Sequence, residues 1–312
     1  MSRPSHDVLL GAGFVVLWSS GFIGAELGAA SAPASSLLAW RFIIAAVPLA
    51  AWLLWRRPHI PARDLGLHIL IGTLGQVGYL YGVFASVEHG VAPGTSALIC
   101  ALQPIVAVAL AVPLLGESVV PRQVIGLLIG LGGVALVVGG DVGATSGVPL
   151  WAYALPIGAM VSLVAATLVE RRTRPSIGLI EALAVQAGIS AVLFTGLALA
   201  TRTLTPPADP TFWAAIAVLV VLAMFGGYGL YWINLYRNGV ARVSALLYLT
   251  PPATMLWAWL MFGGAIAPLS LAGVAVCAVA VLLIRTSKAS GEAVSPADSQ
   301  APPGQLVGRS GA

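Results

Sequence analysis

The sequence predicts an all-α integral membrane protein, with ten transmembrane helices arranged as two inverted five-helix repeats. Three observations lead there: long uncharged apolar runs, arginines gathered in alternate gaps between them, and a helix-loop pattern that returns after a fixed interval. Of 312 residues, 59% are hydrophobic and 8% charged, against roughly 25% charged in soluble domains. Mean hydropathy is +0.96. This composition excludes a water-soluble globule, and the absence of a Gly-X-Y period or long polar tracts excludes fibrous and wholly disordered chains.

A helix needs about 20 apolar residues to cross a hydrocarbon layer about 30 Å thick, satisfying its own backbone hydrogen bonds as it does so. Ten runs meet that demand: 8–28, 35–55, 65–87, 93–115, 122–140, 150–170, 177–200, 211–236, 241–262 and 267–285. The last two form one uncharged stretch, too long for a single crossing, which Gly263, Gly264 and Pro268 divide. The first run, preceded by Arg3 and followed by Ala30-Ser31-Ala32, has the outline of a secretory signal. Its length and the following Pro33 favour an uncleaved helix. Residues 286–312, rich in Ser, Gly, Pro and Ala, are expected to be a disordered cytoplasmic tail.

Lys and Arg are retained on the cytoplasmic side of short loops. With the N-terminus inside, that side collects Arg3, Arg56, Arg57, Arg63, Arg122, Arg171, Arg172, Arg174, Arg237, Arg242, Arg285 and Lys288, and the other side holds Arg202 alone. Adding or removing one span would scramble this asymmetry. Both termini are therefore expected in the cytoplasm. The net charge of +4 lies in these gaps, so it reports topology and the lipid bilayer as partner, with no nucleic-acid surface.

Ser96-Ala97-Leu98 returns as Ser244-Ala245-Leu246, Pro104 as Pro252 and Gly116 as Gly264, all displaced by 148 residues. The copies fall in spans 4 and 9. Five spans separate them, and an odd number reverses direction across the membrane. Residues 1–140 and 141–285 are thus expected to be inverted repeats, the plan of many secondary transporters.

Leu17-Trp18-Ser19-Ser20-Gly21-Phe22, Arg41-Phe42, Ser96-Ala97-Leu98 through Pro104, Gly116-Glu117 and Ser244 through Pro251-Pro252 together resemble the EamA-like branch of the drug/metabolite transporter superfamily. The resemblance covers about residues 8–285. It implies two inverted bundles around a central substrate cavity, alternating access and, commonly, export of metabolites or drugs. Gly264-Ala265 departs from the Gly-Glu often found in the second half. Arginine far outnumbers lysine, as in GC-rich bacterial genomes; with the resemblance, this points to the inner (plasma) membrane.

Polar groups at mid-span are expensive in hydrocarbon, so they are expected to face protein or a watery cavity. Trp18, Gln76, Tyr79, Gln103, Ser162, Tyr228, Tyr231, Trp232, Tyr248 and Thr250 all fall near the middle third of their spans. Individually, each is equally a packing or helix-to-helix hydrogen-bonding residue. As a group they form a candidate substrate-binding set whose aromatic faces, amides and hydroxyls suit a small amphipathic organic solute. The set carries no fixed charge for an anion. Pro104, Pro251 and Pro252 remove N–H groups, and so serve as gates or as static kinks.

Arg41 is the one cation clearly inside a predicted span and requires a partner or water. Glu26, in the neighbouring antiparallel span, is the expected partner; the pair would act in the pathway or as a folding clamp, and snorkelling of Arg41 towards the outer interface is the alternative. Among carboxylates near the bilayer, Glu26 and Glu181 are the candidates for proton exchange, both near span ends, while Glu170 reads as a loop group and His68 as structural.

Gly126 and Gly130, like Gly78 and Gly82, give the small-residue spacing that lets helices approach, within one protomer or across a homodimer. Gly130-Leu131-Gly132-Gly133 fits a loose dinucleotide pattern without the preceding strand it needs. Cys100 and Cys277 lack the spacing of a disulfide framework or zinc site. Neither cofactor nor metal is expected. No Gly-x-Ser-x-Gly, His-Glu-x-x-His or Walker motif is present, so a membrane-embedded enzyme and an ATP-driven pump are disfavoured. A passive channel would gather charged rings or carbonyl filters. Secondary transport of a small organic solute leads.

Overall fold

The computed structural model describes residues 4–103, 106, 110, 121–144, 147–231, 233, 234, 246, 247, 249–263 and 266–279. Among them there is helix and no strand. The helices are α1 (Pro4–Ala29), α2 (Ala34–Arg56), α3 (Ala62–Glu88), α4 (Pro93–Cys100), α5 (Pro121–Ala144), α6 (Leu150–Thr173), α7 (Leu179–Ala200), α8 (Pro210–Tyr231), α9 (Thr250–Phe262) and α10 (Pro268–Val279).

Six of them, α1, α2, α3, α6, α7 and α8, are long and apolar enough to cross a membrane, the shortest apolar stretches being 22 residues, or about 33 Å at 1.5 Å per residue. They coincide with the spans expected at 8–28, 35–55, 65–87, 150–170, 177–200 and 211–236, apart from shifts of a few residues at the ends. The far ends of the expected fourth, eighth and tenth spans, the start of the ninth, and the tail from 286 lie outside the described residues. So do Ser244, Ala245, Gly116 and Gly264 of the internal repeat.

Helix ends follow from local chemistry. Arg57 closes α2 and Arg174 closes α6 in the left-handed conformation, at φ 44° and 46°, each returning its N–H to the last turn. Asp209 caps α8 by accepting from the Thr211 N–H at 2.9 Å, with Pro210 at the position where a missing N–H costs nothing. Pro251 and Pro252 likewise occupy the first turn of α9. There they begin a helical segment and do not kink its interior.

Contacts define two ends. At the end bearing Arg56, Arg57, Arg171, Arg172 and Arg174, Asp64 Oδ2 accepts from the Ser176 N–H at 2.8 Å and hydroxyl at 2.6 Å, while Arg63 donates to the Thr173 carbonyl at 2.9 Å. This ties the start of α3 to the turn between α6 and α7. At the other end, the Ala34 N–H donates to Glu88 at 2.9 Å, Trp40 Nε1 to the Leu204 carbonyl at 2.9 Å, and Ser35 shares a 2.8 Å hydrogen bond with Thr203.

The core lies between α2 and α7, where Phe42 stacks on Phe194 with ring centroids 5.6 Å apart. On either side, α1 packs along α8 and α3 along α6. Both α3 and α8 contain a π-helical segment, Thr73–Gly78 and Val218–Gly227, a wide turn common at functional sites. Small residues allow these contacts. A Cβ on Gly82 would lie 2.7 Å from the Leu155 carbonyl, and a Cβ on Gly78 would collide with the Ser162 hydroxyl. The α5 and α10 backbones meet in the same way: a Cβ on Gly133 would lie 2.9 Å from the Gly273 carbonyl and 2.6 Å from Cys277 Sγ. Cys277 also reaches the Gly130 carbonyl, at 3.6 Å. Gly130 thus packs within the chain.

Candidate functional site

Two adjoining cavities lie within the helix bundle: α1, α3, α7 and α8 line both, α2 lines the smaller, and α4, α6 and α9 line the larger. The larger, about 450 Å³, reaches the arginine-rich end, where Glu170 and Leu179 form part of its wall. The smaller, about 80 Å³, extends towards α2, with Arg41 and Phe84 in its lining. Trp18, Gln76, Tyr79 and Tyr228 line both. Four of the residues expected from depth alone thus converge at the junction.

An aromatic cluster shapes one wall. The Trp18 ring lies 5.4 Å from Phe14, 5.4 Å from Tyr228 and 5.9 Å from Tyr231, centroid to centroid and tilted in each case. These separations suit edge-to-face attraction and hold the indole between α1 and α8. Tyr231, Gln103 and Thr250 line the larger cavity. Gln103 donates to Thr167 at 3.3 Å, and Ser19 of α1 donates to the Thr250 carbonyl at 3.3 Å.

The opposite wall is a run of amides and hydroxyls between α3 and α7. Gln76 donates to Gln186 Oε1 at 3.1 Å and accepts from Ser190 at 3.3 Å; the Gln186 amide meets His68 Nδ1 at 3.2 Å. Removing one member leaves its partner unpaired in an apolar setting. Gln76→Leu and Gln186→Leu are each expected to lower stability by about 1–2 kcal/mol. Because they share one bond, the double variant should cost less than the sum, a result that equilibrium denaturation of the four proteins would read.

Ser162 does not line either cavity. Its hydroxyl donates to the Leu74 carbonyl at 2.8 Å, inside the π segment of α3, so it supports the wall from behind. The side chain expected to face solute turns instead to a backbone acceptor. Trp232, Tyr248 and Pro104 lie outside the described residues. Pro251 is buried at the start of α9, and Pro252 is exposed.

The expected Arg41–Glu26 pair does not form. Arg41, 5% exposed, lies seven residues into α2, whereas Glu26 lies three residues from the end of α1, a difference in depth of about 6 Å at 1.5 Å per residue. In addition, α2 packs chiefly on α7 and only marginally on α1. Arg41 Nε and Nη1 have no hydrogen-bond partner; the guanidinium carbon sits 5.5 Å from the Phe42 centroid and 5.9 Å from that of Phe84. The cavity system therefore does contain a fixed positive charge.

Gln186, Thr167 and Glu170 also line the larger cavity but are absent from the set expected from sequence. Gln186 had a legible signal, an amide in mid-span four residues before Ser190, which places both on one helix face. Among the described residues, no three His, Cys, Asp or Glu side chains converge to hold a metal ion.

Comparison with known proteins places this geometry in context. The sequence profile of the EamA-like transporter family matches residues 7–139 and again 150–286. A probable terminal-alkyne amino-acid exporter of Streptantibioticus cattleyicolor is 30% identical over 290 residues, covering 90% of this chain and 95% of that protein. A probable amino-acid metabolite efflux pump of Salmonella typhimurium is 26% identical over 310 residues, covering 93% and 100%. A solved structure, described only as a crystal structure of a protein, shares the fold with a TM-score of 0.61 at 22% identity, covering 93% of this chain and all of that one. With apolar helices long enough to span a bilayer and a family match over both halves, the chain is a multi-pass membrane protein that belongs to the EamA-like transporter family.

Proposed function

We propose that this transporter is a secondary exporter of small organic metabolites, amino-acid-like compounds among them, working by alternating access. The observation that carries the reading is the cavity of about 450 Å³, walled by aromatic rings on one side and amides on the other. Such a surface offers apolar contact and a few oriented hydrogen bonds to a solute of that size. The names of the two relatives, an exporter and an efflux pump, support export and a role in transport, not catalysis.

The proposed architecture is ten spans in two inverted repeats, residues 1–140 and 141–285, with both termini and the tail 286–312 in the cytoplasm of an inner-membrane protein. Three features support it. The family profile matches twice in succession. The π segments fall in α3 and α8, which are third in their respective halves. Finally, α1 meets α8 as α6 meets α3, while α2 meets α7, α4 meets α9 and α5 meets α10, the pairing that a two-fold axis in the membrane plane produces. Solute sites in such proteins lie at the repeat interface near mid-membrane, where Trp18, Gln76, Tyr79 and Tyr228 gather.

The test is flux in proteoliposomes across a panel of amino acids and related metabolites, with and without a pH gradient. Saturable uptake of at least one compound is expected. Stimulation by the gradient would assign proton exchange, and indifference to it facilitated diffusion. Chemical conversion of a compound without flux would overturn the proposal.

A further inference from the structure

We infer that Arg41 is the anchor for a carboxylate on the transported solute, which makes the preferred cargo a small organic acid or zwitterion with an apolar body. The inference rests on the transport reading above and adds the chemistry of recognition. A guanidinium 5% exposed, with Nε and Nη1 unbonded, is expensive to bury without a counter-charge. The Phe42 and Phe84 rings, at 5.5 and 5.9 Å, compensate part of the charge through their faces but cannot accept the in-plane N–H donors. Among the described residues, no carboxylate lines the smaller cavity. Its occupant must supply the acceptors.

Geometry selects the acceptor. The guanidinium fork matches a carboxylate with two parallel hydrogen bonds. Among the described residues, Arg41 is the one cation in the lining of either cavity, which suits a single negative charge better than a phosphate dianion. The small cavity, about 80 Å³, accommodates the acid group, and the shared residues Trp18, Gln76, Tyr79 and Tyr228 pass the rest of the molecule into the larger space. There the aromatic wall receives the apolar body.

The experiment compares L-leucine with L-leucinamide and L-phenylalanine with L-phenylalaninamide, in binding to the purified full chain and in proteoliposome flux. In the wild-type protein each acid should bind at least about tenfold more tightly than its amide, the worth of one charge-assisted contact. Arg41→Gln should raise the half-saturating concentration of the acids by about tenfold to a hundredfold and leave that of the amides within about threefold, and Arg41→Lys should restore part of the difference. A purely structural role would weaken acid and amide alike. The wild-type comparison stands even if Arg41→Gln fails to fold. Flux of acid and amide alike, indifferent to Arg41, overturns the anchor and leaves the transporter reading intact. Absence of binding and flux for all four compounds while another solute of the wider panel moves overturns the anchor alone, and absence of flux across that whole panel overturns both.

Discussion

Gly133→Leu is expected to lower the stability of the purified protein by about 3 kcal/mol, the upper part of the usual range for overpacking. A Cβ at this position would lie 2.9 Å from the Gly273 carbonyl and 3.0 Å from the Cys277 backbone nitrogen. Both are backbone atoms held in a helix, so no rotamer change relieves the clash; α5 and α10 must separate. At about 2–4 °C per kcal/mol, the midpoint of thermal unfolding should fall by about 6–12 °C. Gly273→Leu strikes the same crossing from the other side, since its Cβ would lie 2.6 Å from the Gly133 carbonyl. Once the helices have parted, the second substitution adds little, so the double variant should fall well short of the sum. An unchanged midpoint in either single variant would show that the helices do not cross at these glycines.

Trp18→Ala is expected to reduce flux by at least about tenfold and to destabilise the protein by about 3 kcal/mol, as for large-to-small changes among packed aromatics. The indole touches three rings and lines both cavities. Its removal therefore merges their walls and unseats Tyr228 and Tyr231. Trp18→Phe keeps most of the apolar contact and should retain the fold while altering which solutes move. The measurement is initial rate against concentration for both variants, paired with thermal unfolding. Wild-type rates in Trp18→Ala would remove the aromatic wall from the transport route.

The long helices were legible because a bilayer imposes a length, and uncharged runs of that length stand out. Depth was legible too: Trp18, Gln76, Tyr79 and Tyr228 fall at one level because each sits midway along its run. Direction around the helix axis was not. Helices such as α8, with Val218-Leu219-Val220-Val221 in sequence, are apolar on all sides, so no polar stripe tells which face meets protein and which meets lipid. For that reason the sequence points Ser162 at the cavity although it turns to the Leu74 carbonyl, and Arg41 at Glu26 although it lies over Phe84. The π segments left no trace either, because a widened turn inside a uniformly apolar run changes hydrogen bonding without changing residue pattern. Glu170 reads as a loop residue in sequence because it adjoins Arg171 and Arg172, yet its turn of α6 borders the cavity.

The hydrogen bonds at the end away from the arginines bear on the alternation proposed above. Under the proposed alternating access, Ala34 with Glu88, Trp40 with Leu204 and Ser35 with Thr203 would release if that end parts around the start of α2. At about 1 kcal/mol net for each, these three bonds alone would weight the shut form by about a hundredfold before any cargo binds. Cargo that holds the parted form more tightly by the same factor would equalise the two, so thinning this clasp, not enlarging the cavity, is the direct way to shift how often the far door stands ajar.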